Sequence, residues 1–284
     1  MKNSKYIVVT GVSSGIGLGI TKVLIQNGYY VFGSVRKRED SERISQLLGE
    51  NFTPLLMDVT NQNSITEAVS IVSKTLGNTK LLGLVNNAGI SIHGPLLHQK
   101  IDDFEKQIDV MLYGPFRIIQ AFAPLLGTDK KRTGNAGTII NVSSIGAIAA
   151  TPFLGMYCAV KKGLVGLSNT FRMELMPYGI DVVLIYPGTF KTNIWEKTDS
   201  IDIFKYKNTD YYSSLQSFLK FTEKEREKGL SPEVLGKTVL KIFTTKQPQT
   251  SYVVGPNKFL VSFVSKLVPE RIMDRIITKM LGIK

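Results

Sequence analysis

Cysteine, histidine and tryptophan are scarce in this chain of 284 residues, which carries one Cys, two His and one Trp. With Cys158 alone, an intrachain disulfide and a four-cysteine zinc site are both excluded. His93 and His98 are too few for a His-rich metal centre, so no metal is expected. No uninterrupted apolar run reaches the roughly 18 residues that favour a spanning helix. Lysines precede an apolar run near the start, as in a signal peptide. That run, residues 6–9, is too short, and Gly11 and Ser13 follow at once. Internal repeats and low-complexity tracts are missing too. The lack of paired cysteines makes a reduced, cytoplasmic setting the expectation.

What is present is a globular composition, 43% hydrophobic and 20% charged, with 35 Lys+Arg against 23 Asp+Glu and a net charge of +12. The length permits one large domain or two small ones, and the reading adopted is a single domain over residues 1–284. The positive charge implies acidic company: phosphates, nucleic acid or an anionic membrane surface. The basic residues are scattered and form no nucleic-acid-binding motif, so nucleic acid is not the expected partner.

Short β-branched runs alternate with helical patterns over the first 190 or so residues, which argues for βαβ units and a parallel sheet. Strands are expected at residues 6–10, 30–35, 54–57, 82–85, 137–142 and 181–186, each apolar and flanked by turn residues, as for strands buried on both faces. The first helix is expected over residues 15–27, ended by Gly28. The fold class is therefore α/β, a doubly wound (Rossmann) sheet with helices on both faces and a C-terminal helical extension. After Pro187 the character changes. Residues 190–229 carry many charges and aromatics, among them Trp195, Phe218 and Phe221, with weak periodicity. They read either as a helical insertion with an ordinary surface or as a lid enclosing an apolar ligand. Ser231 and Pro232 then suit the N-cap and first position of another helix.

Between the first strand and first helix lies Thr10-Gly11-Val12-Ser13-Ser14-Gly15-Ile16-Gly17. Glycines there let the backbone turn tightly and approach a pyrophosphate, stabilised by the positive end of the helix. A structural turn is the plainer reading of such a motif in isolation. Asn86-Asn87-Ala88-Gly89 follows the fourth strand, and Ser144, Tyr157 and Lys161 come later. Tyr157 and Lys161 are i and i+4, so they share one helix face. A nearby ammonium favours phenolate and lowers the phenol pKa, giving a proton donor or acceptor for carbonyl–alcohol interconversion. Ser144 can hold the same oxygen by a hydrogen bond. Singly, each of these would be an unremarkable helix or loop residue.

Their order, closed by Pro187-Gly188 and Thr192, resembles the short-chain dehydrogenase/reductase family from residue 5 to about 195. The wording around Asn86-Asn87-Ala88-Gly89 and Tyr157-Cys158-Ala159-Val160-Lys161 is similar to the hydroxysteroid and retinol dehydrogenase branch. The resemblance implies a nicotinamide cofactor and a lipophilic alcohol or ketone as substrate. It implies that Tyr157 is the acid/base, that Ser144 orients the substrate oxygen, and that Lys161 lowers the Tyr157 pKa and holds the nicotinamide ribose. It also places Gly11, Ser13, Ser14, Gly15, Ile16, Gly17, Asn87, Ala88 and Gly89 around the cofactor, with Asp58 and Val59 at the adenine. Pro187, Gly188 and Thr192 correspond to the segment beside the carboxamide. Relatives are often dimers or tetramers, so a homodimer or homotetramer is expected.

One position departs from the family. An Asn that holds a water connecting the Lys to solvent is replaced here by Met111, in Asp109-Val110-Met111-Leu112-Tyr113-Gly114. Methionine is a poor hydrogen-bonding partner for that water, which puts the proton relay in question.

Cofactor choice follows from charge. NAD-preferring proteins carry an acidic residue at the end of strand two. Here Ser34-Val35-Arg36-Lys37-Arg38 has no carboxylate until Glu39, and Arg36 can pair with a 2′-phosphate, aided by Ser13 or Ser14. NADP(H) is therefore expected over NAD(H); a solvated basic turn is the alternative.

His93 lies just beyond the Asn-Asn-Ala-Gly motif and reads as a surface or structural histidine. Cys158 points about 100° round the helix from Tyr157 and reads as buried packing; Lys162 reads as surface. In residues 256–284, Ile272, Met273, Ile276, Ile277, Met280 and Leu281 form an apolar stripe flanked by basic residues. This pattern fits a helix lying on an anionic membrane, and it fits packing against the domain or a partner subunit equally. The function expected is NADP(H)-dependent interconversion of hydroxyl and carbonyl on a lipophilic, steroid- or retinoid-like molecule. The rival is a nucleotide-binding regulator with little turnover, to which Met111 lends support.

Overall fold

The computed structural model describes residues 5–192, 202–256 and 268–283. Seven parallel strands form one sheet in the order β3-β2-β1-β4-β5-β6-β7. They are β1 (Tyr6–Val9), β2 (Tyr30–Val35), β3 (Phe52–Leu56), β4 (Gly83–Asn86), β5 (Thr138–Val142), β6 (Asp181–Pro187) and β7 (Ser251–Val254). The six expected strands lie within a few residues of their sequence positions; β7 is additional. Among the described residues it pairs with β6 alone, at the edge of the sheet.

Successive strand residues point to opposite faces, so one apolar strand feeds two cores. Val8, Phe32, Leu84 and Ile139 pack on one side with Ile118 and Phe122. Ile7, Val9, Val31, Val85 and Ile140 pack on the other with Ile20, Leu24, Leu235 and Val239. The first face is covered by α3 (Gln62–Leu76) and α5 (Gly114–Ala123), and the second by α1 (Gly15–Gln26) and α8 (Pro232–Thr244). Helices α1 and α8 pack closely because Gly19 lies against Pro232, where a Cβ would come within 2.4 Å. The α8 helix starts where expected, with Ser231 at the N-cap and Pro232 in the first turn.

Strand order reverses between β1 and β4, and such a switch point opens a crevice at the carboxyl ends of the strands. Among the described residues the other α-helices surround that end or flank the sheet: α2 (Arg38–Leu48), α4 (Ile101–Ile108), α6 (Gly155–Glu174), α7 (Tyr212–Glu227) and α9 (Glu270–Leu281). Between α4 and α5 the chain makes a π-helical turn over Asp109–Tyr113. The helical stretch Ile101–Thr128 is long and apolar enough to cross a membrane, yet half of its apolar window is buried inside the fold, where it packs on the sheet.

Candidate active site

A cavity of about 620 Å³ opens at the switch point. Its floor is the glycine turn, and the Asn-Asn-Ala-Gly segment braces that turn. The Asn87 and Ala88 N–H groups donate to Thr10 Oγ1 at 2.9 and 3.0 Å, and Asn87 Nδ2 donates to the Thr10 and Gly11 carbonyls at 3.0 and 3.1 Å. Gly11 has φ of +73°, and a Cβ there would lie 2.9 Å from Ala88 Cα. At Gly17 a Cβ would sit 2.1 Å from the Gly11 carbonyl oxygen. Only glycine allows this close approach at both positions. Ser13, Ser14, Gly15 and Ile16 line the cavity at the start of α1, whose first turn holds no acidic residue. The free N–H groups there form a cradle for an anion.

The opposite wall is carried by α6. This helix is tied to the sheet by a buried polar chain: Asn86 Nδ2 donates to Asn141 Oδ1 at 2.8 Å, Asn141 Nδ2 to Ser168 Oγ at 2.8 Å, and Ser168 Oγ to the Leu164 carbonyl at 2.6 Å. Lys161 is buried, and its ammonium donates to the Val142 carbonyl at 2.8 Å. The same Nζ lies 5.8 Å from the centroid of the Tyr157 ring, so the two side chains do share a face. Ser144 caps the short turn after β5, accepting from the Gly146 N–H at 3.0 Å, and its hydroxyl bonds that of Tyr157.

The electrostatics differ from the sequence expectation. Burial dominates at Tyr157 and raises its pKa, and the Ser144 hydrogen bond only partly opposes this. Burial acts on Lys161 too, lowering its pKa from 10.5 to about 8 and leaving the ammonium charged at neutral pH. At neutral pH the resting pair is thus a protonated phenol beside an ammonium that gives up its proton more readily than a free lysine does.

Every residue assigned to the cofactor or the chemistry from the sequence lines the cavity except Gly17, which supports the turn from beneath. Arg36 is exposed at the cavity edge with Ser13 and Ser14. A second basic group adjoins them, since Arg43 donates to the Ser13 carbonyl at 2.9 Å. Asp58 spends one carboxylate oxygen on Thr60, accepting from its N–H and hydroxyl at 2.9 and 2.8 Å. Thr192 crosses the turn, its Cβ 3.2 Å from where a Gly15 Cβ would stand. Met111 sits buried in the π turn, lines the cavity, and presents its sulfur to Gly89.

The sequence leaves some further lining residues between two readings and does not single out others, Thr222 and Glu225 among them. His93, read as either a surface or a structural histidine, is nearly buried in the wall, bonded to the Ser91 hydroxyl and edge-on to Phe218. Phe218 and Phe221, two of the aromatics read as a possible lid, line the cavity together with Thr222 and Glu225 on one face of α7. Their i, i+3, i+4, i+7 spacing was readable, but two aromatics and two polar residues on one helix face fit a partly exposed core helix as well as a ligand wall. Cys158 is buried and Lys162 exposed, as expected. Trp195 lies outside the described residues, and among these no cluster of His, Cys, Asp or Glu could hold a metal.

A doubly wound sheet with a glycine cradle at its switch point, facing a Ser, Tyr and Lys, defines a dinucleotide-dependent oxidoreductase. The chain belongs to the short chain dehydrogenase family, whose model matches residues 5–202. It is 36% identical over 275 residues, covering 97% of this chain and 96% of the relative, to an NADPH-dependent 3-dehydrocapnine reductase of Ornithobacterium rhinotracheale. It is 34% identical over 252 residues, 88% of this chain and 87% of the relative, to a 3-ketodihydrosphingosine reductase of Bacteroides thetaiotaomicron. Its fold matches the crystal structure of a short-chain dehydrogenase from Streptomyces avermitilis with a TM-score of 0.77, at 21% identity and covering 97% and 98% of the two chains. The protein is thus an oxidoreductase acting on CH–OH and carbonyl groups.

Proposed function

We propose that the protein reduces, with NADPH, a ketone carried on a lipophilic long-chain molecule. The carrying observation is the placement of Ser144, Tyr157 and Lys161 on a cavity wall shared by the glycine cradle and an apolar face of Leu154, Phe190, Phe218 and Phe221. The two reductases named above support the substrate class, since one acts on a keto-sphingoid base and the other on a dehydro compound with NADPH. That class narrows the lipophilic expectation and replaces its steroid- and retinoid-like examples.

In this reading the cradle at Gly11 to Gly17 holds the cofactor pyrophosphate, and Asp58 and Val59 border the adenine. Asn87, Ala88 and Gly89, with Pro187, Gly188 and Thr192, border the nicotinamide half. The nicotinamide supplies hydride when bound. Tyr157 donates its proton to the carbonyl oxygen in reduction and accepts one in oxidation, while Ser144 donates a hydrogen bond to the same oxygen. Burial keeps the phenol protonated, which is the state that reduction requires. Lys161 fixes the local charge one helical turn on, held by the Val142 carbonyl. The α7 face closes the substrate end and excludes water.

Purified protein given NADPH and 3-ketodihydrosphingosine is expected to consume the cofactor, with a steroid ketone and retinal turned over poorly. Preference for the steroid or retinal would reassign the substrate, and tight NADPH binding without consumption by any of the three would favour the regulator. The cofactor preference rests on Arg36 and has its own test. Arg36→Ala is expected to weaken NADPH by about tenfold through loss of a charge-assisted bond to the 2′-phosphate, with NADH nearly unchanged in a fluorescence titration. Equal weakening of both would remove the role given to Arg36. Exposed Tyr113, Phe116 and Met173, with the Phe116 and Phe171 rings 5.9 Å apart between α5 and α6, support a homodimer or homotetramer through that face.

A further inference from the structure

Helix α9 uses only part of its apolar stripe to hold the fold. Leu281 is fully buried, and with Ile277 and Ile283 it packs on Tyr206, Leu215 and Phe218 in a small core beside the cavity. The Ser214 hydroxyl fastens the helix end by donating to the Gly282 carbonyl at 3.1 Å. At roughly 100° per residue, Ile272, Ile276 and Met280 form a second stripe beside the docked one. They are 47%, 55% and 50% exposed.

The charges on α9 are sorted about that stripe. Arg271, Arg275 and Lys279 run along its free edge, all exposed and with no ion-pair partner among the described residues. Glu270 and Asp274 fall on the side of the helix that carries Ile277 and Leu281. An exposed apolar band with cations along one edge and anions turned away is the pattern of a helix seated in an anionic lipid interface. Two more exposed apolar tips border the same small core. His98 packs edge-on against Tyr206 and Tyr211 at 5.9 and 5.8 Å, and its neighbour Leu97 is 81% exposed. Phe204, two residues before Tyr206, is 70% exposed.

We infer that the free face of α9 is a docking surface for an anionic lipid bilayer, with Leu97 and Phe204 as exposed apolar tips around the same small core. The inner side of the same small core supplies Phe218 to the cavity wall. A bilayer seated on the outer side therefore lies one helix layer from the substrate end. The surface stands on its own residues and does not depend on the identity of the substrate.

Full-length protein should float with vesicles of phosphatidylcholine plus phosphatidylglycerol, bind pure phosphatidylcholine far more weakly, and release in high salt. Ile272→Glu/Ile276→Glu should lower vesicle affinity at least about tenfold, because it places charge on the band that would enter the bilayer. Arg271→Gln/Arg275→Gln/Lys279→Gln should lower it on the order of 100-fold on the mixed vesicles only. Both variants should keep the wild-type thermal midpoint and NADPH affinity, since the docked residues Ile277 and Leu281 are untouched. Absence of binding to the mixed vesicles, or wild-type binding by both variants, overturns the proposal. So does a wild-type dimer that Ile272→Glu/Ile276→Glu splits without any lipid binding, an outcome that assigns the face to a second copy of the chain.

Discussion

Tyr157→Phe is expected to lower turnover about 10³-fold or more, the range lost when a positioned acid/base is removed, while NADPH affinity stays within about twofold of wild type. The ring packs beside Ile90, Met111 and Val160, and phenylalanine keeps those contacts. Ser144 keeps its bond from the Gly146 N–H, so the turn after β5 stays in place. What disappears is the one proton donor that burial holds in its neutral form at the cavity wall. Single-turnover reduction and an NADPH titration on the same sample separate chemistry from binding. Turnover retained by the Tyr157→Phe variant would contradict the assignment of the acid/base. A parallel loss of NADPH binding would instead make the hydroxyl part of the cofactor cradle.

The features legible in the sequence are those encoded by short local patterns. Each inner strand is an apolar run bounded by turn residues, and Tyr157 and Lys161 needed only the helical i, i+4 spacing to be placed on one face. The glycine turn was readable because Gly11 and Gly17 stand where no side chain fits. Strand β7 was not read, since it is an edge strand with one buried residue, Val254, and is placed by its pairing with β6 rather than by a buried pattern of its own. The wall formed by Phe218, Phe221, Thr222 and Glu225 depends on where α7 docks, which is a tertiary fact. The same holds for His93, which a loop carries into the cavity wall beside Phe218. The protonation of the Tyr157 and Lys161 pair was misjudged for a related reason. Spacing sets their separation, but burial sets their charge, and burial belongs to the whole fold.

Lys161→Met tests that burial directly, and it should move activity and stability in opposite directions. The ammonium is buried with a single carbonyl partner, and its pKa falls from 10.5 to about 8. A lysine that is less basic folded than unfolded costs stability at pH below about 8, where both states carry the proton on this group. Between pH 8 and 10.5 the folded chain has released that proton while the unfolded chain still holds it, so the cost is relieved as pH rises. Over that window wild type should gain about 3 kcal/mol relative to the methionine variant. At neutral pH the variant should be at least as stable as wild type, since removal of the charge outweighs the about 1–3 kcal/mol lost by leaving the Val142 carbonyl without its donor. Turnover should drop about 10²-fold or more, as when a preorganised charge is taken from a buried site. Wild-type rates should decline above pH 8 as the ammonium titrates, and the residual rate of the variant should lack that limb. Urea midpoints and initial rates across this pH range check both halves. A stability difference that does not change with pH would mean that Lys161 is hydrated in solution and that its charge is not the buried one described.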